Sequence, residues 1–161
     1  MLIFESVSTD SSMGKKQLIE SDFFEGYRLI GIVCSLPDFR LSYFINRETG
    51  LFLKKQKNFS LTETKNPVFS WYFYHHEEQH RQFFLIQNKN QSELLLATLA
   101  NFDYLLLMYG NFTDVATQEL LKKLRHISYV TAAFEQKLSQ IKQADLLIVR
   151  NEEQVTANAI Q

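Results

Sequence analysis

Three of the four histidines, His75, His76 and His80, fall within six residues, with Glu77 and Glu78 between them. Imidazole and carboxylate are ligands for zinc or nickel. If this stretch is a hairpin with a four-residue loop, His75 and His80 stand opposite each other, with Cβ atoms about 5 Å apart. Ligands on one turn lack the outer hydrogen bonds that fix a built metal site. A polar turn tip in water accounts for the same residues. No metal or other cofactor is therefore expected, and His75 and His80 are the nearest approach to a metal site.

Other groups suit acid–base or nucleophilic chemistry. Asp38 and Arg40 lie at the start of a helical pattern. A helix N-terminus with an arginine can hold a carboxylate or phosphate; alternatively, Asp38 complements the helix dipole and repels an anion. Asp103 and Tyr104 enter an otherwise apolar run. In a pocket they would be a general base and a proton donor; at a turn the carboxylate caps neighbouring amides. Asn46 offers a similar choice between a ligand contact and a hydrogen bond to a nearby loop. Cys34 sits at a strand-to-helix elbow, where a helix end can activate a thiol; a buried inert thiol is the alternative. The chain holds no glycine-rich phosphate loop, no Gly-x-Ser-x-Gly elbow and no cysteine pair.

These residues need elements to place them. Residues 27–34 are rich in β-branched and apolar side chains and read as a strand. Pro37 takes the place of a first helical residue. Leu41, Phe44 and Ile45 then make one buried helix face, and Gly50 ends the helix in the left-handed conformation. Leu51 to Lys54 begins a second strand. Residues 68–74 and 81–87 read as an aromatic hairpin. Alternation puts Phe69, Trp71 and Phe73 on one face and Val68, Tyr72 and Tyr74 on the other. Both faces are largely apolar, so each must be covered by core, helix, ligand or partner; in the binding-module reading one covers the core and the other meets a partner or a second copy of the chain. Residues 102–110 form a further strand, and Thr113 caps a helix over about 114–126 with Leu120, Leu121 and Leu124 as its buried stripe. Residues 127–134 return as a strand, 134–144 as a short helix and 146–149 as a last strand.

The fold class expected is α+β, a mixed or antiparallel sheet with an aromatic hairpin and two main helices packed on it. The 161 residues suit one domain. Residues 18–150 are assigned to it, with 1–17 as a poorly ordered extension and 151–161 as a flexible polar tail. Met13, before Gly14-Lys15-Lys16, is a candidate second start. Seventeen basic residues against eighteen acidic ones give a net charge of −1, which argues against binding nucleic acid through bulk charge. A single cysteine excludes an internal disulfide, and no apolar run reaches the 18–20 residues or so of a membrane span. The expected setting is the cytoplasm, with no membrane and no nucleic acid as partner.

The stretch Leu29-Ile-Gly-Ile32, Asp38-Phe-Arg-Leu41, Ile45-Asn46 and Leu85-Ile-Gln-Asn88 resembles the bacterial IPExxxVDY family, named for its signature. The signature itself aligns with residues 96–104. Asp103 and Tyr104 match it, Leu96 and Phe102 are conservative, and Ala97 and Thr98 depart from its Pro and Glu. The resemblance spans roughly residues 13–150 and implies a bacterial, cytosolic setting without an established activity.

Two functional readings follow. The first is a non-enzymatic module that binds a protein or small ligand, with Trp71, Tyr72 and Tyr74 of the hairpin as its contact surface. The alternative is a small enzyme whose polar site joins Asp103 and Tyr104 to Asp38 and Arg40. The enzyme reading requires these four groups to converge on one pocket.

Overall fold

A computed structural model describes residues 23–64 and 66–160. The calls on residues 1–17 and on the Met13 start lie outside the described residues. Among the described residues, eight strands and three α-helices follow in order: β1 (Tyr27–Cys34), α1 (Asp38–Thr49), β2 (Lys54–Lys55), β3 (Trp71–His76), β4 (Arg81–Gln87), β5 (Lys89–Asn90), β6 (Glu93–Leu94), β7 (Tyr104–Gly110), α2 (Asp114–Arg125), β8 (Val130–Gln136) and α3 (Ala144–Ile160). Six strands form one sheet in the order β2-β3-β4-β7-β1-β8, and every neighbouring pair is antiparallel. β5 and β6 form a separate two-stranded ribbon. The chain is α+β.

The local signals act as expected in α1 and α2. Pro37 stands at the cap position, one residue before the helix, and Gly50 closes α1 at φ 77° with its N–H donating to the Asn46 carbonyl. The Thr113 hydroxyl accepts from the Ala116 N–H at 3.0 Å and starts α2. Leu41 and Ile45 of α1 and Leu121 and Leu124 of α2 pack on one face of the sheet, against Ile30, Ile32, Leu85, Leu106 and Met108. Gly31 has a steric reason. A Cβ there would meet the Phe102 ring at 2.6 Å, so only glycine lets that ring lie across β1.

The second half departs from expectation after β8. Residues 134–144 are not a helix, and 146–149 are not a strand. Residues 144–160 form α3, whose Leu147 and Ile148 cover the other face of the sheet beside Leu29, Trp71, Phe84, Leu105 and Leu107. The tail expected over 151–161 is corrected over its described part, because Asn151 is 1% exposed and its Oδ1 accepts from the Trp71 indole N–H at 2.8 Å. A buried indole N–H needs such an acceptor.

The hairpin has its four-residue loop, but one position later than expected. His75 faces Gln82 and His76 faces Arg81. The loop is therefore Glu77 to His80, and His75 does not face His80. His80 adopts φ 52°, a turn conformation.

Replacing Asn151 with alanine leaves the Trp71 N–H buried without a partner. The expected cost is about 1–3 kcal/mol in urea unfolding followed by Trp71 fluorescence. An unmoved unfolding midpoint would show that the helix end is not docked.

Candidate functional site

One end of the sheet carries the acid–base groups singled out from the sequence. Asp38, in the first turn of α1, accepts from the Tyr72 hydroxyl at 3.0 Å, and the Lys55 ammonium lies 3.4 Å away. Tyr104 donates to the Leu36 carbonyl at 2.6 Å. Asp103 accepts from the Cys34 backbone N–H at 2.8 Å, and Lys89 lies 3.7 Å from its other oxygen. Burial pushes the Asp38 carboxyl up, but the Tyr72 hydroxyl, the Lys55 ammonium and neighbouring donors more than reverse that, leaving it below its ordinary value. Burial and the Asp38 hydrogen bond push Tyr72 up to about 12. Burial likewise raises Tyr104, helped by the charge of Asp38. It also raises the Cys34 thiol, away from the range of a reactive thiolate.

Asp38, Asp103 and Tyr104 thus gather at one end of the sheet, each with a partner inside the chain. Arg40 does not join them. Its guanidinium lies 5.5 Å from the Tyr129 ring and 6.0 Å from the Phe44 ring. Asn46 is a clamp: its amide donates to the Leu53 carbonyl at 3.1 Å and accepts from the Leu53 N–H at 2.9 Å. That pair ties the end of α1 to the chain leading into β2.

The hairpin turns most of its aromatic residues into the chain. Trp71 is fully buried and Tyr72 is 4% exposed, one beneath α3 and the other beneath α1 and α2. Tyr74 is half-buried and stacks on Phe83. Of the three hairpin residues expected to meet a partner, Trp71 and Tyr72 are covered within the chain, and Tyr74 is the one left part-exposed. Exposed aromatics are spread over several elements: Phe39 and Tyr43 on α1, Phe52 before β2 beside Tyr74, Tyr109 at the end of β7, Tyr129 before β8 and Phe134 on β8. Among the described residues, no three His, Cys, Asp or Glu side chains come together as a metal-holding group.

The opposite end of the sheet holds a cleft of about 320 Å³ between the end of α1, the hairpin tip and α2. Leu51, Phe83, Phe112 and Leu120 supply apolar walls. Arg81, Lys123 and Glu119 bring charge to it, and His76 also lines it. Gly110 sets the geometry. It pairs with Arg81 across β4 and β7 at φ 133°, and any Cβ there would collide with the His80 carbonyl. The hairpin tip therefore reaches the start of the loop that carries Phe112.

Arg81 is held in place. Its Nε donates to the Asn111 carbonyl at 2.9 Å, its Nη1 to the Gln79 amide oxygen at 3.3 Å, and its guanidinium lies 4.7 Å from the centre of the Phe112 ring. Among the described residues neither Arg81 nor Lys123 has a carboxylate partner. Arginines at two other cavities do. Arg28 pairs with Asp114 and Glu135, and Arg150 pairs with Glu63 and Glu153. Sequence reasoning missed the cleft. Arg81 carries no local motif, and in sequence Lys123 is one of three basic residues suited to the negative C-terminal end of α2.

Comparison with family models, with curated proteins and with solved structures finds no match for the chain.

Tyr72→Phe removes the hydroxyl from Asp38, and stability at neutral pH falls by about 1–3 kcal/mol. The Asp38 carboxyl then titrates nearer its ordinary range, which carboxyl carbon NMR reads directly. Folded Asp38 is held below its unfolded value, so its contribution is present above about pH 4 and is lost as pH falls through the lowered value. The difference between variant and parent therefore narrows in acid.

Proposed function

We propose that the chain is a non-enzymatic binding module that takes a small ligand in the cleft between α1, the hairpin tip and α2. One observation carries this reading. The cleft joins apolar walls to two cations, Arg81 and Lys123, that no carboxylate among the described residues pairs with. Ligand sites are commonly concave, mostly apolar and oriented by a few polar groups. The volume of about 320 Å³ lies at the small end of that range.

The enzyme alternative has less support. It needs Asp38, Arg40, Asp103 and Tyr104 around one pocket, and the Arg40 guanidinium lies over Tyr129 and Phe44 instead. The resemblance to the IPExxxVDY family fits the binding reading. The two matched signature residues, Asp103 and Tyr104, bond the backbone at Cys34 and Leu36, a structural duty. A protein partner or second copy loses most of the surface first assigned to it, because Trp71 and Tyr72 are covered within the chain. No helix among the described residues is long and apolar enough to cross a membrane. The buried Cys34 thiol suits the cytoplasm as the working compartment.

Native mass spectrometry of the full chain, purified gently from its source cells, tests the reading. A retained small-molecule adduct is expected, and Ala116→Trp, which places an indole in the cleft, removes it while the unfolding midpoint stays near the parent's. A bare monomer whose cleft signals also stay still in a metabolite extract of those cells overturns the proposal.

A further inference from the structure

Resting on that reading, we infer that the cleft takes a small monocarboxylate with an apolar body about the size of a phenyl ring. The charge balance of the cleft selects the anion. Arg81 and Lys123 face one carboxylate, Glu119, so the fixed charges leave one positive charge over. A monocarboxylate cancels it. A phosphate dianion would overshoot and meet Glu119.

The Arg81 environment makes the preference specific. Arg28 takes two carboxylates, Asp114 and Glu135, and also donates to the Phe112 carbonyl at 3.3 Å. Arg81 is left with neutral acceptors, the Asn111 carbonyl and the Gln79 amide. Its Nη2 donates to no protein group among the described residues. The guanidinium is held over Phe112 by its bonds to Asn111 and Gln79, so a bound carboxylate would find a donor that is already oriented. Lys123, one helical turn beyond Glu119 on α2, brings a second, mobile donor.

The walls define the other end of the ligand. Phe83 and Phe112 meet edge to face at 5.5 Å, with Leu51 and Leu120 also lining the cleft. A planar apolar body suits that lining. A simple aryl carboxylate meets both conditions; a free apolar α-amino acid shares the carboxylate and the apolar body and could set its ammonium at Glu119, but as a net-neutral zwitterion it leaves the surplus charge in place.

The test titrates the full chain with 3-phenylpropionate, L-phenylalanine and the neutral 3-phenylpropan-1-ol, followed by amide and methyl NMR. At least one carboxylate is expected to move the Leu51, Phe112 and Leu120 signals saturably. The alcohol should bind about tenfold more weakly or worse, the loss of one charge-assisted contact. Lys123→Gln, a change at an exposed position, should weaken the carboxylate about tenfold, and Arg81→Lys should weaken it while keeping the charge. Tighter binding of phenylalanine, abolished by Glu119→Gln, identifies the amino acid as the source. Equal affinity for the alcohol and the carboxylates overturns the carboxylate inference and leaves the binding cleft standing. Still signals with both carboxylates up to about 1 mM also overturn it; a retained native adduct would then preserve the module reading alone.

Discussion

Over its first five residues strand β7 has no solvent face. From Tyr104 to Met108 every side chain is buried, alternately on one side of the sheet and the other. A sheet of that kind must be covered twice, since each uncovered apolar face would cost about 25 cal/mol for every Å² left in water. α1 and α2 cover one face, and α3 with the surrounding loops covers the other. The covering also explains the aromatic hairpin. Trp71 and Tyr72 are neighbours in sequence and lie on opposite faces, so they need different helices above them. The Trp71–Asn151 hydrogen bond fixes the place of α3, because its donor and acceptor are both buried and neither could exchange the other for water.

The same constraint settles the fate of the acid–base groups. Where β1 ends and β7 begins, Asp38, Asp103, Tyr72 and Tyr104 sit at the margin of a dry layer. A half-buried carboxylate is stable there only with donors around it. Asp38 has Tyr72 and Lys55, and Asp103 has the Cys34 N–H and Lys89. These pairings hold the β1–α1 elbow against β3 and β7. Each carboxylate is thus already engaged within the chain, and convergence of such residues in space does not by itself make a catalytic site.

What could be read from the sequence was local. Pro37, Gly50 and Thr113 mark helix ends through backbone chemistry that needs no tertiary context, and the i, i+3, i+4 stripe of α2 is a property of one segment. The alternation of the hairpin faces was legible for the same reason. The third helix was not. Its polar second half, from Asn151 onward, looks like a tail until the buried Trp71 N–H supplies a reason for Asn151 to be inside. The hairpin loop lies one position later than expected, and each cross-strand partner is two residues further on, because His76 and Arg81, rather than His75 and His80, close the ladder. No residue type dictated that choice; the left-handed turn at His80 and the close approach of Gly110 to it did. The cleft was invisible for a deeper reason. Its residues come from α1, β4, the β7–α2 loop and α2, and only the fold brings them together.

The difference between the two ends of the sheet is one of charge accounting. At the β1–α1 end, each carboxylate has a nearby cation or donor. At the hairpin end the carboxylates are unevenly shared, since Arg28 holds both Asp114 and Glu135. Asp114 lies only two residues beyond Phe112, whose ring supports Arg81, yet it is directed to Arg28. Had Asp114 turned to Arg81 instead, the cleft would be neutralised from within and Arg28 would lose one of its two anions. The ring and the Asn111 carbonyl hold the Arg81 guanidinium in position without cancelling its charge. An aromatic face attracts a cation through its quadrupole, and a carbonyl through its dipole, and neither contributes a net negative charge. The fold thus fixes an arginine beside the apolar walls of the cleft without a carboxylate partner among the described residues.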